Sequence, residues 1–283
     1  MVEEKNMAIS KFIMAIGLIV IAIVAFAAGL FTSPSIIPEA EPKTIWETIQ
    51  ERGKIKVGCS PDWPPYESLE DGEFVGFEVE LMETIAERLD LTVEWKNMVW
   101  DFIMPEVRDK GIDLGVSGFS IKPDRLEVVQ FTIHHSVTEG QIIMLKSKRD
   151  ALGITEIDSL ANLTDLDLTC GAQTGTTQHD ELEDEALGAL VVYQDYLVAL
   201  ADLKKTPPGV DCIYAETPIT TEWIYLAQEA GEEPLVVIYK RPYWPVAFVA
   251  HKDADILVQK INAELATIIG TGEIDELKKK WRC

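Results

Sequence analysis

The sequence predicts an α/β protein of two lobes preceded by an apolar leader, and three observations carry that expectation. Short apolar strands alternate with amphipathic helical stretches in two successive halves of the chain, the rhythm of parallel sheets covered by helices. Each half closes on a long extended run without helical period, "VVQFTIHHSVTEGQIIMLKS" and "EPLVVIYKRPYWPVAFVAHK". Two such crossings between α/β halves predict a hinge of strands and a cleft at the strand ends. Between Lys11 and Glu39 there is no charged residue.

The leader comes first. "FIMAIGLIVIAIVAFAAGLF" (Phe12 to Phe31) is 20 residues long. At about 1.5 Å per residue it matches the roughly 30 Å hydrocarbon core of a bilayer. A cleaved signal peptide is the rival, because Ala25-Phe26-Ala27 is a small-x-small site. A buried core helix is the non-exported alternative. Residues 1–34 are thus expected to be a signal peptide or membrane anchor, and the proline-rich residues 35–43 a linker. The globular part is expected to start near Thr44.

In the first half "KIKVGCS" reads as a strand broken by "PDWPPY". Leu81, Ile85 and Leu89 fall four apart, with Met82 and Ala86 on the same face and Glu80, Glu83 and Glu87 outward, which predicts a helix. "TVEWKNM" is a second strand, "WDFIMPEVRDKG" a short helix closed by Gly111, and "IDLGVSGF" a third strand. The second half repeats the pattern through "DLTCGAQTG", "TTQHDELEDEALGAL", "LVVYQ", "DYLVALADLKK" and "VDCIYAE". Leu257, Ile261, Leu265 and Ile268 mark a terminal helix stopped by Gly270 and Gly272. The expected lobes are residues 44–140 with 240–283, and residues 141–239.

Composition excludes some functions. A formal charge of -23 repels phosphate backbones, so no nucleic-acid partner is expected. The four cysteines (Cys59, Cys170, Cys212, Cys283) are too widely spaced for a metal-ligand pair. Three of them lie in apolar strand-like runs and read as buried thiols; an exported protein permits a disulfide, whose pairing the sequence leaves open. There is no glycine-rich phosphate loop, nucleophile elbow or histidine pair at metal spacing, so neither a catalytic residue, a metal nor a cofactor is expected. His134 and His135 are adjacent and point to opposite faces of an extended segment, which reads as structural.

The loops at the strand ends carry the recognisable chemistry. They are "SPDWPPYE", the segment at Trp100, "GFSIKPDR", "GAQTGTTQ" and "YAETPIT". Together they supply one arginine, several hydroxyls and glycine amides, two tryptophans and a glutamate, the inventory of a receptor for a zwitterion. Arg125 suits a carboxylate bidentately, and Gly118 leaves its backbone open to close approach. Thr176 and Thr177 open a helix, either as anion donors or as an ordinary N-cap. Glu216 reads either as an ammonium acceptor or as a solvated loop charge, and Trp63 and Trp100 either as cleft wall or as core.

Six stretches, "IKVGCSPDWPPYE", "DGEFVGFEVELMETIAERL", "GIDLGVSGFSIKPDRLEVVQF", "GAQTGTTQ", "GVDCIYAETP" and "GEIDELKKKW", resemble in order and spacing the family 3 extracellular solute-binding proteins of ABC importers. The resemblance covers about Lys54 to Trp281 and implies a two-lobed, type II periplasmic-binding-protein-like fold. It also implies an amino-acid ligand, delivery to a permease and a monomer. On it Arg125 clamps the ligand's α-carboxylate, helped by Gly118, Ser120, Thr176 and Thr177. Trp63 and Trp100 sandwich the side chain, for which a cationic or aromatic group is suited. Glu216 takes the α-ammonium where these receptors usually carry aspartate, a departure of one methylene. The alternatives are a dehydratase-like enzyme on the same fold, separable by turnover of arogenate or prephenate, and a sensor module for a membrane partner.

Overall fold

The computed structural model describes residues 2–31 and 42–283, in two units that divide at Pro42. In the first unit Val2–Phe31 is a 30-residue helix whose apolar side chains, Phe12, Ile13, Leu18 and Ile21 among them, are exposed. Among the described residues no helix is long and apolar enough to cross a membrane. The expected linker lies largely outside the described residues.

The second unit runs from Lys43 to Cys283. Thr44 N-caps the helix Ile45–Arg52, accepting from Glu47 N while the Glu47 carboxylate accepts from Thr44 N. That reciprocal pair satisfies two of the helix's free N–H groups. Two five-stranded sheets follow. In the first, Lys54–Cys59 lies between Thr92–Asn97 and Leu114–Gly115, parallel to both; Val249–Ala250 then joins antiparallel, followed by Gln130–Phe131. In the second, Leu190–Tyr193, Cys170–Gln173 and Cys212–Glu216 are parallel, and Ser136–Leu145 joins Cys212–Glu216 antiparallel. The two long extended segments pair with each other, Ser136–Leu145 against Leu235–Val246, from Ser136 opposite Val246 to Leu145 opposite Leu235.

The helix Phe77–Arg88 buries Leu81, Met82, Ile85 and Ala86 and turns Glu83 and Glu87 to water, as its spacing predicts. Ile55, Val57 and Leu114 of the first sheet pack in the same core, with Leu257, Ile261, Leu265 and Ile268 of the terminal helix Asp255–Thr271. Ile142, Met144, Cys170, Leu182 and Tyr214 form a second core on the other sheet.

Four expectations change. The third strand is only Leu114–Gly115, because Ser117 and Gly118 leave the sheet to face the cleft. The helix Trp100–Arg108 is capped by Asp109 and followed by Lys110 at φ 62°, so the left-handed residue is Lys110 and not Gly111. "PDWPPYESLEDGEFV" does not simply break the first strand; it folds into a small sheet of Asp62–Trp63, Glu67–Glu70 and Glu73–Val75. "ETPIT" is not a loop but the start of the 13-residue helix Thr217–Glu229. All four cysteines are free thiols, with Cys59, Cys170 and Cys212 buried.

Candidate ligand-binding site

One cleft gathers every residue singled out in the sequence. Trp63, Trp100, Gly118, Ser120 and Arg125 line it from the first sheet's side, and Thr176, Thr177 and Glu216 from the second's. Asp62, Ser117, Gln173, Gln178 and Tyr196 join them.

Arg125 sits in the short helix Pro123–Val128, which starts at Pro123 because proline's fixed φ suits a first helical turn. That turn carries the guanidinium back over the cleft, where only 4% of the residue is exposed. It donates to Ser120 O at 3.1 Å and, across the cleft, to Gly175 O at 3.2 Å. It also lies 5.2 Å over the Trp100 ring, within cation–π range. Burial lowers its pKa, an effect that Glu216 opposes. No carboxylate of the protein forms an ion pair with it among the described residues, so a buried cation is held by carbonyls and a ring alone. That arrangement leaves the cation's charge free for an anionic ligand to pair with.

Glu216 is buried, not a solvated loop charge. It ends the strand Cys212–Glu216 and stands at the N-cap of the helix Thr217–Glu229. Its carboxylate accepts from Thr138 Oγ1 at 2.6 Å, Ser120 Oγ at 3.2 Å and Gln178 Nε2 at 3.2 Å. Burial raises its pKa, while those three donors and Arg125 pull it down. Thr176 is an N-cap: its hydroxyl accepts from His179 N and donates to Gln173 O. Thr177 differs, because its Oγ1 is buried in the cleft with no partner among the described residues. A buried hydroxyl left unpaired costs about 1–3 kcal/mol, so this one calls for a ligand atom.

Gly118 has φ +64°, and an added Cβ would stand 2.4 Å from the Trp63 ring. The close approach that this glycine permits is therefore first of all Trp63's own. Its N–H donates to Glu78 Oε2 at 3.0 Å, and Glu78 Oε1 meets His135 Nε2 at 2.8 Å. Glu67 Oε1 accepts from Ser117 Oγ at 2.9 Å. Burial, then the neighbouring Glu78, push the Glu67 carboxyl well up. These carboxylates, missed in the sequence, hold the Ser117–Gly118 turn from behind. One signal was legible: Glu78 falls on the apolar face of its helix, four residues before Met82. His135 is buried and His134 exposed, on opposite faces as expected.

The two walls are in contact. Gln173 Nε2 donates to Asp62 Oδ2 at 2.7 Å, and Lys122 pairs with Asp180 at 2.7 Å. About 20 Å³ of free space is left between them, room for water and not for an amino acid.

A two-lobed fold with a buried cation, a buried anion and an unpaired hydroxyl in one cleft defines a class of small-molecule receptor. The description of the bacterial extracellular solute-binding proteins, family 3, matches residues 55–282, and the chain belongs to that family. The chain is 25% identical to ABC transporter arginine-binding protein 1 of Escherichia coli (strain K12), over 81% of its own length and 90% of that protein's. It is 27% identical to the arginine-binding extracellular protein ArtP of Bacillus subtilis (strain 168), over 82% and 88%. An ancestral arginine-binding protein bound to arginine superposes with a TM-score of 0.72 at 25% identity, covering 81% of this chain and 98% of that one.

Proposed function

We propose that the chain captures a free amino acid between its lobes and presents it to the permease of an ABC importer. Arg125, with Thr177, takes the α-carboxylate; Gly118, whose N–H is held by Glu78, shapes the turn beside it, and Ser120 and Thr176 complete and position that clamp. Glu216 takes the α-ammonium, and Trp63 and Trp100 flank the side chain. The lobes are residues 44–140 with 240–283 and residues 141–239, joined through the paired strands. The ligand docks on the first wall while the cleft is open, and the second wall swings in on it. The chain works as a monomer, tethered to or released from the outer face of the membrane by the segment 1–34.

The observation that carries the reading is Arg125: a guanidinium buried in the cleft with no carboxylate ion-paired to it among the described residues. The test is a thermal-shift screen of free amino acids against their decarboxylated and deaminated analogues. Free amino acids of the right class raise Tm, by about 2.7 kcal/mol of stabilisation at a hundredfold excess over Kd, and the analogues do not. A screen in which no free amino acid raises Tm overturns the reading. Mass spectrometry of the mature N-terminus separates cleavage from anchoring.

A further inference from the structure

Asp62 is the third charge of the cleft, and nothing in the zwitterion clamp uses it. The ionisable carboxylates and cations that line the cleft are Asp62, Arg125 and Glu216. A free amino acid brings one carboxylate to Arg125 and one ammonium to Glu216, which leaves Asp62 without a counter-ion. Asp62 is 4% exposed and forms no ion pair among the described residues. Its partners are all neutral: Ser60 Oγ at 2.8 Å, Gln173 Nε2 at 2.7 Å and Tyr196 N at 3.3 Å. Burial, its main perturbation, pushes its pKa up to about 6, the mark of a carboxylate kept from water without a cation.

Its position suits the far end of a ligand. Asp62 precedes Trp63, whose ring packs on Gly118 of the anchor turn, so the aromatic wall leads from the carboxylate anchor to Asp62. Two of its three partners, Gln173 and Tyr196, belong to the opposite wall. When the walls part, Asp62 stays on the first wall with Ser60 alone, open to an incoming group. From this we infer that Asp62 is the specificity-determining residue and selects amino acids whose side chain ends in a cation. The inference rests on the amino-acid reading above.

The test compares arginine with citrulline, its neutral near-isostere, by calorimetry on the wild-type protein and on Asp62→Asn. The wild type prefers arginine at least tenfold, and Asp62→Asn reduces that preference at least tenfold. Asparagine keeps the size and the Ser60 contact, and a melting curve reports whether the variant is folded; should it not be, Asp62→Glu takes its place, retaining the charge and the preference. A wild-type preference within threefold overturns the inference, as does a preference that Asp62→Asn leaves intact. Binding of neutral or acidic amino acids in place of arginine overturns Asp62's role alone, whereas binding of no amino acid overturns the underlying reading.

Discussion

Replacing Gly118 by alanine puts the packing of the anchor turn to a quantitative test. The added Cβ meets Trp63 ring carbons at 2.4, 2.7 and 2.8 Å, and the backbone stays at φ +64°. The left-handed conformation costs an alanine about 1–2 kcal/mol, and overpacking about 1–3 kcal/mol more. Trp63 cannot retreat, because the Tyr66 ring packs tilted against it, centroids 4.7 Å apart, and Phe77 meets Tyr66 edge-on at 4.9 Å. The ring's remaining way is into the cleft. The expected loss is about 2–5 kcal/mol in urea unfolding, with amino-acid affinity down at least tenfold by calorimetry. Gly53→Ala is the control: it shares a positive φ, +65°, but has nothing within 4 Å. It should lose only the conformational part, about 1–2 kcal/mol, and keep its affinity. Wild-type stability and affinity in Gly118→Ala would refute the packing argument.

Three further outcomes are expected. Glu216→Gln removes a buried charge, so thermal stability holds or rises while amino-acid affinity falls about tenfold to a hundredfold, the worth of a charge-assisted bond of roughly 1.5–3 kcal/mol; affinity within threefold contradicts its role. For Asp62 the folded pKa of about 6 lies above the ordinary 3.8. Its contribution to stability is therefore fully present below about pH 4 and is lost as pH rises to about 6, a fall of about 3 kcal/mol in the ligand-free protein. Urea unfolding of wild type against Asp62→Asn isolates it, and a difference that does not change over that window removes the argument. A thiol reagent should leave Cys59, Cys170 and Cys212 unmodified in the native protein and reach them only in denaturant, since all three are buried; fast native labelling of all four speaks against these cores.

The local parts of this fold were legible because local chemistry dictates them. The four-residue spacing from Leu81 to Leu89 needs only near neighbours to make a helix; the capping pair of Thr44 and Glu47 is as local, but the helix it starts is not among the expected ones. Arg125 stands out by residue type and by its place past the third strand, but the short helix that Pro123 starts, and that aims it, reads as a loop in the sequence. The sequence reading leaves Glu216 open between an ammonium acceptor and a loop charge, although proline in a helix's first turn is a start signal, and Thr217-Pro218 stand there. The buried carboxylates were hidden for a different reason. Glu67 Oε1 finds its donor in Ser117, 50 residues away, and Glu78 Oε1 meets His135, 57 away. Sequence marks acids as solvated by default, and only distant partners reverse that. Asp62 lay in a loop already noted, but its lack of a cation becomes visible only once the walls are assembled.

The most direct test of the central claim is calorimetric titration of Arg125→Ala beside the wild type, with amino acids that bind the wild type. Arginine 125 contributes charge-assisted bonds of about 1.5–3 kcal/mol each, so losing a bidentate pair weakens binding at least a hundredfold. The account predicts no measurable heat of binding from a variant that still melts cooperatively. An Arg125→Ala protein that binds the same amino acids with wild-type affinity contradicts it.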